Sequence, residues 1–504
     1  MALEYDRLND DTIAAAATGL AEAGIGIIRI SGPDAIGIAD KIIMLRQRNR
    51  DERDLFSGKK RKTLFGMPSN QIRLAYVVDP KDGRVMDEVM VSVFRHPYSY
   101  TTEDTVEINT HGGVYLMQTI LELVIQNGAR PAEPGEFTKR AFLGGRIDLS
   151  RAEAVMDLIS AGNEFSRRTS MDELRGSVSD KVKELRKEVL YEIAFIESAL
   201  DDPDNYSLDG YPHKLEEKVT RIADELKELI IYAKEGRILK EGINTVIVGK
   251  PNAGKSSLLN YLCGSERAIV TEVAGTTRDT LEEKVRIGNA ILNITDTAGI
   301  RDTEDVVEKI GVERAKKAME KADLILFLLD SSAGIEEEDR RIADLINKEI
   351  SRGKRCILLL NKTDLPSKIT QKQAQDLFRF PNPKPSQESS EKRINNYRSI
   401  TFLTCSLKER EGLDRLKKLI LEMFRAGEIM EKNEVFLSNL RQIHEAEKAE
   451  EALRLVIKSI QDGLSEDFYS IDLMNAYTFL GRIIGEAVED DLVEEIFSRF
   501  CLGK

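Results

Sequence analysis

The stretch INTVIVGKPNAGKSSLLN (243–260) decides the fold of the middle of this chain. A strand-like apolar segment runs into a glycine-containing loop and then into a helix-like segment, which matches GxxxxGK[ST] in its expected context. Gly249 and Gly254 let backbone amides face phosphates. Lys255 can reach the outer phosphates, and the hydroxyl of Ser256 can bind magnesium. The stretch therefore predicts a phosphate-binding loop.

Two further motifs follow in the order that a nucleoside triphosphate site requires. The loop AGTTRD (274–279) offers the hydroxyls of Thr276 and Thr277, one of which could complete a magnesium shell. Taken alone, this loop is equally consistent with an ordinary turn. Next, Asp296 ends the strand ILNITD where a carboxylate near magnesium belongs, and Gly299 can donate its amide to the terminal phosphate.

The base-recognition motif NKTD (361–364) comes directly after the strand CILLL. The carboxylate of Asp364 can accept from both N1–H and the exocyclic amine of guanine, a donor pair that adenine lacks. The segment Ser406-Leu407-Lys408 follows the strand ITFLTC, where a backbone amide can meet the guanine oxygen. Five motifs in order, each at a strand end, predict that the ligand is GTP.

The predicted site departs from that of Ras-like enzymes. Those enzymes place a glutamine directly after DxxG, but this chain has Ile300, which can neither donate nor accept a hydrogen bond. Arg278 and Arg301 are each either an arginine finger or an ordinary surface charge. Asn252 adds a polar oxygen near the phosphates, and with carbonyls of the 271–276 loop it could hold a monovalent cation in place of an arginine.

Composition excludes several other classes of protein. The chain has 504 residues, of which 41% are hydrophobic and 32% charged, and a formal net charge of −13, which disfavours a general nucleic-acid coat. No apolar run approaches the roughly 20 residues needed to cross a bilayer, and the N-terminus does not resemble a secretory signal. The four cysteines form no CxxC pair, which argues against a zinc site, and Cys263, Cys356 and Cys405 are expected to belong to the core. We expect a soluble, multidomain, cytoplasmic protein without a membrane partner.

Periodicity predicts the domain organisation. An α/β domain over 1–146 is predicted by strand-like runs rich in β-branched residues: GIGIIRI (24–30), QIRLAYVV (71–78), VMDEVMVSVF (85–94) and TVEINT (105–110). Apolar residues recurring every three or four positions from Leu174 to Leu200 predict one long helix, and Pro203 ends it. The strand-like runs INTVIVG, ILNITD, LILFLLD (324–330) and CILLLN alternate with helices between 242 and 426, which predicts a mostly parallel sheet of the Ras-like kind. We therefore expect a multidomain α/β plus all-α fold, in which a discontinuous helical domain (147–241 and 427–504) holds the inserted domain (242–426). Residues 46–62 are expected to form an exposed basic loop, which is either a solvated run of charges or a patch that faces RNA, and residues 367–400 are expected to be a flexible insertion.

The nucleotide motifs resemble those of the TrmE-Era-like GTPases. Outside them, several segments are similar to the MnmE/TrmE family of tRNA modification GTPases: GIIRISG (26–32), SYTTEDTVEINTHGG (99–113), RPAEPGEFTKRAFLGGRIDLSRAEAVMDLI (130–159) and the terminal CLGK. The resemblance covers nearly the whole chain. It implies addition of an aminomethyl or carboxymethylaminomethyl group at carbon 5 of a tRNA wobble uridine. It also implies an FAD-dependent partner, MnmG (GidA), a tetrahydrofolate-carried one-carbon unit (5-formyl- or methylene-tetrahydrofolate), a homodimer and a heterotetramer with MnmG. Either glycine or ammonium supplies the nitrogen.

The resemblance also implies roles for individual residues. Folate is held by Arg29, Glu107, Arg146 and Lys504, of which Arg146 stands where the family often has lysine. Potassium maps to Asn252, Thr271, Val273 and Thr276, and magnesium maps to Ser256 and Thr277. Glu308 positions the attacking water, and Lys255 and Thr277 are the other catalytic residues. The nucleotide contacts are Asn252, Ala253, Gly254, Lys255, Ser256, Ser257, Thr271, Thr276, Thr277, Asp296, Thr297, Ala298, Gly299, Asn361, Lys362, Asp364, Ser406, Leu407 and Lys408.

Two questions stay open at this point. Cys501 is either a nucleophile, since Arg499 and Lys504 stand near it in sequence, or a small apolar side chain that packs beside Phe497 and Phe500. A regulatory switch that binds a ribosomal or membrane partner, or a folate scaffold with a vestigial GTPase, are the rival interpretations of the whole chain. The intact nucleotide motifs argue against the second, and the GEFTKRAF and CLGK segments argue against the first.

Overall fold

The computed structural model describes residues 11–46, 63–206, 208–265, 282–288, 290–295, 316–378, 400–424, 435–486, 490–498, 500 and 503. The chain divides into two compact units. The first unit comprises Met1–Ile159, Glu173–Ala223 and His444–Lys504, and the second comprises Ser160–Asp172 and Asp224–Ile443.

A seven-stranded sheet organises the N-terminal part of the first unit. Its strands are β1 (Ile13–Ala16), β2 (Ala23–Ser31), β3 (Ile43–Leu45), β4 (Gln71–Val78), β5 (Val85–Phe94), β6 (Thr105–Gly112) and β7 (Arg130–Pro131). Their order is β3-β4-β5-β6-β2-β1-β7. Only the β1–β7 pair is parallel among these neighbours. The strands β2, β4, β5 and β6 lie where β-branched residues predict them.

The two faces of this sheet are covered differently. The larger core joins Ile28 and Ile30 of β2 to Val106 and Ile108 of β6 and to the helices α1 (Ala35–Ile42) and α2 (Val114–Gln126). A short 3-10 helix, Leu64–Gly66, adds the buried Leu64 to this core. A smaller cluster on β1 contains Ile13, Ala15, Ala132 and Phe137, with Tyr100 packed against it. Phe137 belongs to α3 (Glu136–Leu143), so α3 is anchored beside β1.

Helices form most of the remaining chain outside the second sheet. They are α4 (Leu149–Ser160), α5 (Glu164–Leu174), α6 (Ser177–Asp201), α7 (Tyr211–Glu241), α12 (Leu440–Gln461), α13 (Glu466–Ile484) and α14 (Asp490–Ser498). None of the described helices is long and apolar enough to cross a membrane.

The single helix predicted from Leu174 to Leu200 is wrong at its N-terminal end, because the chain breaks the helix between Leu174 and Ser177. Gly176 adopts a left-handed backbone conformation with φ +106°, so α5 ends at Leu174 and α6 begins at Ser177. The buried stripe of α6 runs from Val178 to Ile196, and Leu200 is exposed. The end of α6 at Asp201 agrees with the stop expected at Pro203.

A six-stranded sheet organises the second unit. Its strands are β8 (Ile243–Val248), β9 (Glu282–Ile287), β10 (Ala290–Thr295), β11 (Leu324–Asp330), β12 (Arg355–Asn361) and β13 (Ile400–Thr404), in the order β13-β12-β11-β8-β10-β9. All neighbours are parallel except β9, which is antiparallel to β10. The helices are α8 (Lys255–Ser265), α9 (Glu337–Ile350), α10 (Gln371–Gln375) and α11 (Leu413–Met423). The predicted mostly parallel sheet is confirmed, as is the multidomain α/β plus all-α fold class.

Candidate functional site

The phosphate-loop motif connects β8 to α8, and its backbone is unusual at three positions. Gly249, Asn252 and Gly254 have φ values of +151°, +59° and +111°. A side chain at Gly249 would meet the carbonyl oxygen of Leu328 at 2.6 Å, so the loop requires glycine there. Asn252 tolerates the left-handed region better than most residues. The loop therefore adopts a backbone conformation with positive φ angles, and the residues at those positions are of the types that tolerate such angles.

Lys255 points back into this loop from the first turn of α8. Its ammonium donates to the carbonyl oxygens of Gly249 at 2.7 Å and Lys250 at 2.9 Å. Ser256 and Ser257 follow it at the exposed start of the helix. A cation at the mouth of a loop that leads into a helix N-terminus is suited to an anionic ligand such as a triphosphate.

Asn361 joins three of the five nucleotide segments that the sequence predicts. Its amide nitrogen donates to the carbonyl oxygen of Ala253 at 2.8 Å, and its amide oxygen accepts from the backbone N–H of Leu407 at 3.1 Å. The hydroxyl of Ser406 donates to the carboxylate of Asp364 at 2.8 Å. The phosphate loop, NKTD and the 406–408 segment therefore meet around one buried side chain. Lys408 points into solvent, with its side chain 77% exposed.

Two ion pairs lie beside this site that the sequence did not predict. Lys362, held at φ +65°, places its ammonium 2.6 Å from the carboxylate of Asp330 at the end of β11. Burial acts to raise the pKa of Asp330, but hydrogen bonds from Lys362 and Ser332 outweigh it and lower that pKa below 3.8. The strand-like run LILFLLD does not reveal whether its terminal aspartate forms an ion pair with a lysine or faces water.

The second ion pair fixes the phosphate loop to α9. The ammonium of the buried Lys250 lies 3.1 Å from Glu336 and 3.5 Å from Asp339. Burial acts to lower the pKa of Lys250, but the two carboxylates raise it overall. Glu336 and Asp339 also form the capping box of α9. One lysine thus links the loop to a helix N-terminus.

Several predicted site residues lie outside the described part of the chain. They are Thr271, Val273, Thr276, Thr277, Asp296, Thr297, Ala298, Gly299, Glu308, Cys501 and Lys504. Of the predicted potassium and magnesium ligands, the structure describes Asn252 and Ser256. Among the described residues there is no cluster of three or more His, Cys, Asp or Glu side chains that could hold a metal ion.

A second candidate site lies on the β1 side of the first unit. Arg29 pairs in register with Ala15 of β1 and with Glu107 of β6. Its Nε and Nη2 both lie 2.9 Å from Glu107 Oε1, and both side chains are partly buried. Two of the predicted folate residues thus form one ion pair.

Tyr100 brings the third predicted residue to this ion pair. The guanidinium carbon of Arg29 lies 5.6 Å from the centre of the Tyr100 ring, and that of Arg146 lies 5.1 Å from it. Arg146 also donates to the carbonyl oxygen of Ser99 at 2.8 Å. The ring of Phe137 lies 5.5 Å from Arg29. Tyr100 belongs to the segment SYTTEDTVEINTHGG (99–113), but the sequence predicts no role for it, because its position between Arg29 and Arg146 depends on residues far away in sequence.

A buried charge network holds the loop that carries Tyr100. Arg140 of α3, whose side chain is 1% exposed, contacts three carboxylates at 2.6 to 3.0 Å: Asp11, Glu103 and Glu136. Burial raises the pKa of Glu103. The hydroxyl of Tyr100 lies 2.9 Å from that of Thr138, also on α3. The network therefore fixes the 99–105 loop against α3.

The cysteines that the structure describes are free thiols. Cys356 and Cys405 are buried, which raises the pKa of both and raises that of Cys405 to about 12. This agrees with the prediction that they belong to the core. For Cys263 the same prediction is wrong, since this residue is partly exposed.

The regions of this chain that match known proteins cover almost its entire length. Residues 12–146 match the family described as GTP-binding protein TrmE N-terminus, and residues 149–501 match the family described as MnmE helical domain. The chain is 46% identical over 497 residues to a tRNA modification GTPase MnmE of Lachnoclostridium phytofermentans, covering 99% of this chain and 100% of that protein. It is 41% identical over 495 residues to the protein of the same name from Bacillus subtilis, covering 98% and 100%. The protein of that name from Alkaliphilus oremlandii is 43% identical over 499 residues, with 98% and 99% covered.

Proposed function

The chain belongs to the MnmE/TrmE family of tRNA modification GTPases, and from this membership we propose a specific reaction for it. It hydrolyses GTP in a potassium-dependent manner. With the FAD-dependent partner MnmG (GidA), it adds an aminomethyl or carboxymethylaminomethyl group at carbon 5 of a tRNA wobble uridine in the cytoplasm. The one-carbon unit comes from a tetrahydrofolate derivative. The active assembly is a homodimer that joins MnmG in a heterotetramer.

The proposal assigns a task to each segment of the chain. Residues 1–146 bind folate and dimerise, and residues 242–426 bind and hydrolyse GTP. The helical segments 147–241 and 427–504 connect these tasks. The organisation of two sheets in two separate units supports this division, because each candidate site is built on one sheet.

The observation that carries the GTPase proposal is the bridge made by Asn361. It unites the phosphate loop with the 406–408 segment, and Asp364 lies in the same motif with its carboxylate held by Ser406. Asp364 would read guanine, and the backbone N–H groups of the 406–408 segment would meet its oxygen. Lys255 would bind the outer phosphates, and Glu308 would orient the attacking water, as the family pattern implies.

The proposal includes two cations at this site. Ser256 and Thr277 would hold magnesium, and Asn252, Thr271, Val273 and Thr276 would hold potassium. The left-handed backbone of Asn252 supports the second assignment, because it reflects a loop shape imposed at a residue whose side chain carries an oxygen suited to a cation. When bound, the two ions supply positive charge that stabilises the developing charge on the phosphates.

The folate proposal is supported by the cluster of Arg29, Glu107, Tyr100 and Arg146. The carboxylate of Glu107 can accept from the ring N–H and amine groups of a pteridine, and the two arginines can hold anionic or carbonyl oxygens. Tyr100 keeps both arginines in place. Lys504 would add a cation from the C-terminus, as the family pattern implies.

One reconstitution tests the proposal. The purified chain is combined with MnmG, unmodified tRNA, GTP and methylene-tetrahydrofolate in potassium or sodium chloride. Phosphate release and the modified nucleoside are measured together. We expect sodium to suppress both readouts, and omission of folate to abolish the modification alone. Asn252→Ala should remove the response to potassium, whereas Asn260→Ala, an exposed asparagine of α8, should not. Equal rates in both salts would contradict the potassium assignment, and modification without folate would contradict the folate assignment.

A further inference from the structure

Two glycines far apart in sequence lie where the C-terminal end of the first unit packs: Gly135 lies against this end, and Gly503 belongs to it. We call α14 and the described residues after it, Phe500 and Gly503, the tail. Gly135, the N-cap of α3, has φ +70°, and Gly503 has φ +88°. Both values favour glycine over any other residue. Glycine is therefore preferred at both places for its backbone alone.

Close packing adds a second reason at Gly135. A Cβ atom there would lie 2.5 Å from the carbonyl oxygen of Phe497 and 2.8 Å from the Cβ of Phe500. Both neighbours belong to the tail, and backbone and Cβ atoms cannot rotate away. The rings of Phe497 and Phe500 lie 5.0 Å apart and pack with Leu149 and Ala152 of α4. The absent side chain of Gly135 thus makes room for the tail.

Gly503 makes the corresponding contact at the end of the tail. A Cβ atom there would overlap the carbonyl oxygen of Ala16, the last residue of β1. Ala16 follows Ala15, which pairs in register with Arg29. Phe137, two residues after Gly135, has its ring beside Arg29. Both glycine contacts therefore lie close to the Arg29–Glu107 ion pair.

We propose that Gly135 and Gly503 are positioning residues that seat the tail beside Arg29. Because Gly135 has no side chain, the aromatic residues of the tail can pack against the start of α3. Because Gly503 has none, the end of the tail can pack against β1. The seating makes the tail part of the folate-binding site, a consequence that rests on the proposed function. A substitution at either glycine leaves every charged and aromatic group of the site in the chain but displaces the tail.

The test compares alanine substitutions at matched glycines in the full-length chain. Gly210→Ala is the control, because Gly210 has φ +69° and no described atom lies within 4 Å of the position that a Cβ would take there. It carries the same backbone strain as Gly135→Ala without meeting the tail. Binding of 5-formyltetrahydrofolate is measured by calorimetry. We expect Gly135→Ala and Gly503→Ala to weaken binding at least tenfold and Gly210→Ala to stay within twofold of the unsubstituted chain.

A double-mutant comparison separates seating from a general loss of structure. Truncation after Ser498 removes the end of the tail together with Lys504 and should weaken binding at least as much as Gly135→Ala does. Adding Gly135→Ala to the truncated chain should cause no further loss, because both changes act through the same segment. An additive loss would overturn the proposal while leaving the folate site intact, whereas a truncation without effect would overturn both the proposal and the assignment of Lys504 to that site.

Hydrogen exchange of a peptide covering residues 490–504 provides the second measurement. Faster exchange in Gly135→Ala and Gly503→Ala than in Gly210→Ala supports the seating, and unchanged exchange overturns it. This measurement decides the proposal even if the unsubstituted chain fails to bind folate, an outcome that would instead contradict the proposed function.

Discussion

The side-chain amide of Asn361 donates to the carbonyl oxygen of Ala253 at 2.8 Å, across 108 positions of sequence. Asn361 begins the motif expected to recognise the base, and Ala253 lies in the loop expected to hold the phosphates. One buried hydrogen bond thus joins the two segments that are expected to bind the base and the phosphates of a nucleotide.

Asn361→Ala is expected to weaken GTP binding at least tenfold. The substitution leaves the carbonyl of Ala253 and the N–H of Leu407 without this partner, at a cost of about 1–3 kcal/mol each if they stay buried. Binding is measured with a fluorescent GTP analogue. Asn347→Ala is the matched control, since Asn347 of α9 donates to the carbonyl of Leu377 and belongs to none of the nucleotide motifs. Equal losses in both variants would show that Asn361 acts only on stability.

Asp364→Asn is expected to exchange the preferred base from guanine to xanthine. Xanthine carries a carbonyl where guanine carries the exocyclic amine, so an amide at position 364 can donate to it while still accepting from N1–H. We expect GTP to bind about 100-fold more weakly and XTP to gain affinity. Competition between the two nucleotides measures this directly. The exposed Asp376→Asn should leave the preference for GTP intact; a variant of Asp364 that still prefers GTP would place base recognition elsewhere.

The Lys362–Asp330 pair predicts a stability difference that depends on pH. Because the folded protein lowers the pKa of Asp330 below 3.8, the pair stabilises fully above that value, and the contribution is lost as the pH falls through the lower, folded-state pKa. Lys362→Met should therefore reduce the free energy of unfolding by about 1 kcal/mol at pH 7 and by much less under strongly acidic conditions. Urea unfolding at several pH values measures the difference. Lys372→Met, at an exposed lysine of α10, should show no such dependence. A difference that persists unchanged into acid would rule out the ion pair as its cause.

Tyr100 is expected to contribute to folate binding through its ring rather than its hydroxyl. Tyr100→Phe keeps the ring beside both arginines and loses the contact with Thr138, so its effect should be small. Tyr100→Ala removes two cation–π contacts worth about 0.5–1 kcal/mol each and should weaken binding of 5-formyltetrahydrofolate roughly tenfold. Calorimetry compares both with Tyr115→Ala, whose side chain is 83% exposed. If phenylalanine is as damaging as alanine, the hydroxyl is the functional group.

Local sequence patterns were sufficient to predict most of the strands, although not β1, β3, β7 or β9. β4, β5 and β11 have the bounds that their apolar runs predict, because strands on packed sheets require β-branched and aromatic residues. The conformation of the phosphate loop was predictable because Gly249 and Gly254 adopt positive φ angles, which few residues other than glycine tolerate.

Features that depend on long-range contacts were not predictable from the residues alone. Arg29 and Glu107 were assigned through a family resemblance, whereas their register across β2 and β6 required the sheet. The break at Gly176 was missed because apolar spacing continues across it, and only the positive φ reveals the turn. Lys250 and Asp330 form ion pairs with Glu336 and Lys362, which lie later in the chain, so their own sequence context does not reveal these contacts.

The most direct test of the account is mass spectrometry of wobble uridines in tRNA from cells that lack this gene. We predict loss of the carboxymethylaminomethyl and aminomethyl groups at carbon 5, restored by the unsubstituted gene and by the Tyr115→Ala control but not by Asp364→Asn. Wobble uridines that keep these groups in the deletion strain would contradict the account and favour a regulatory switch.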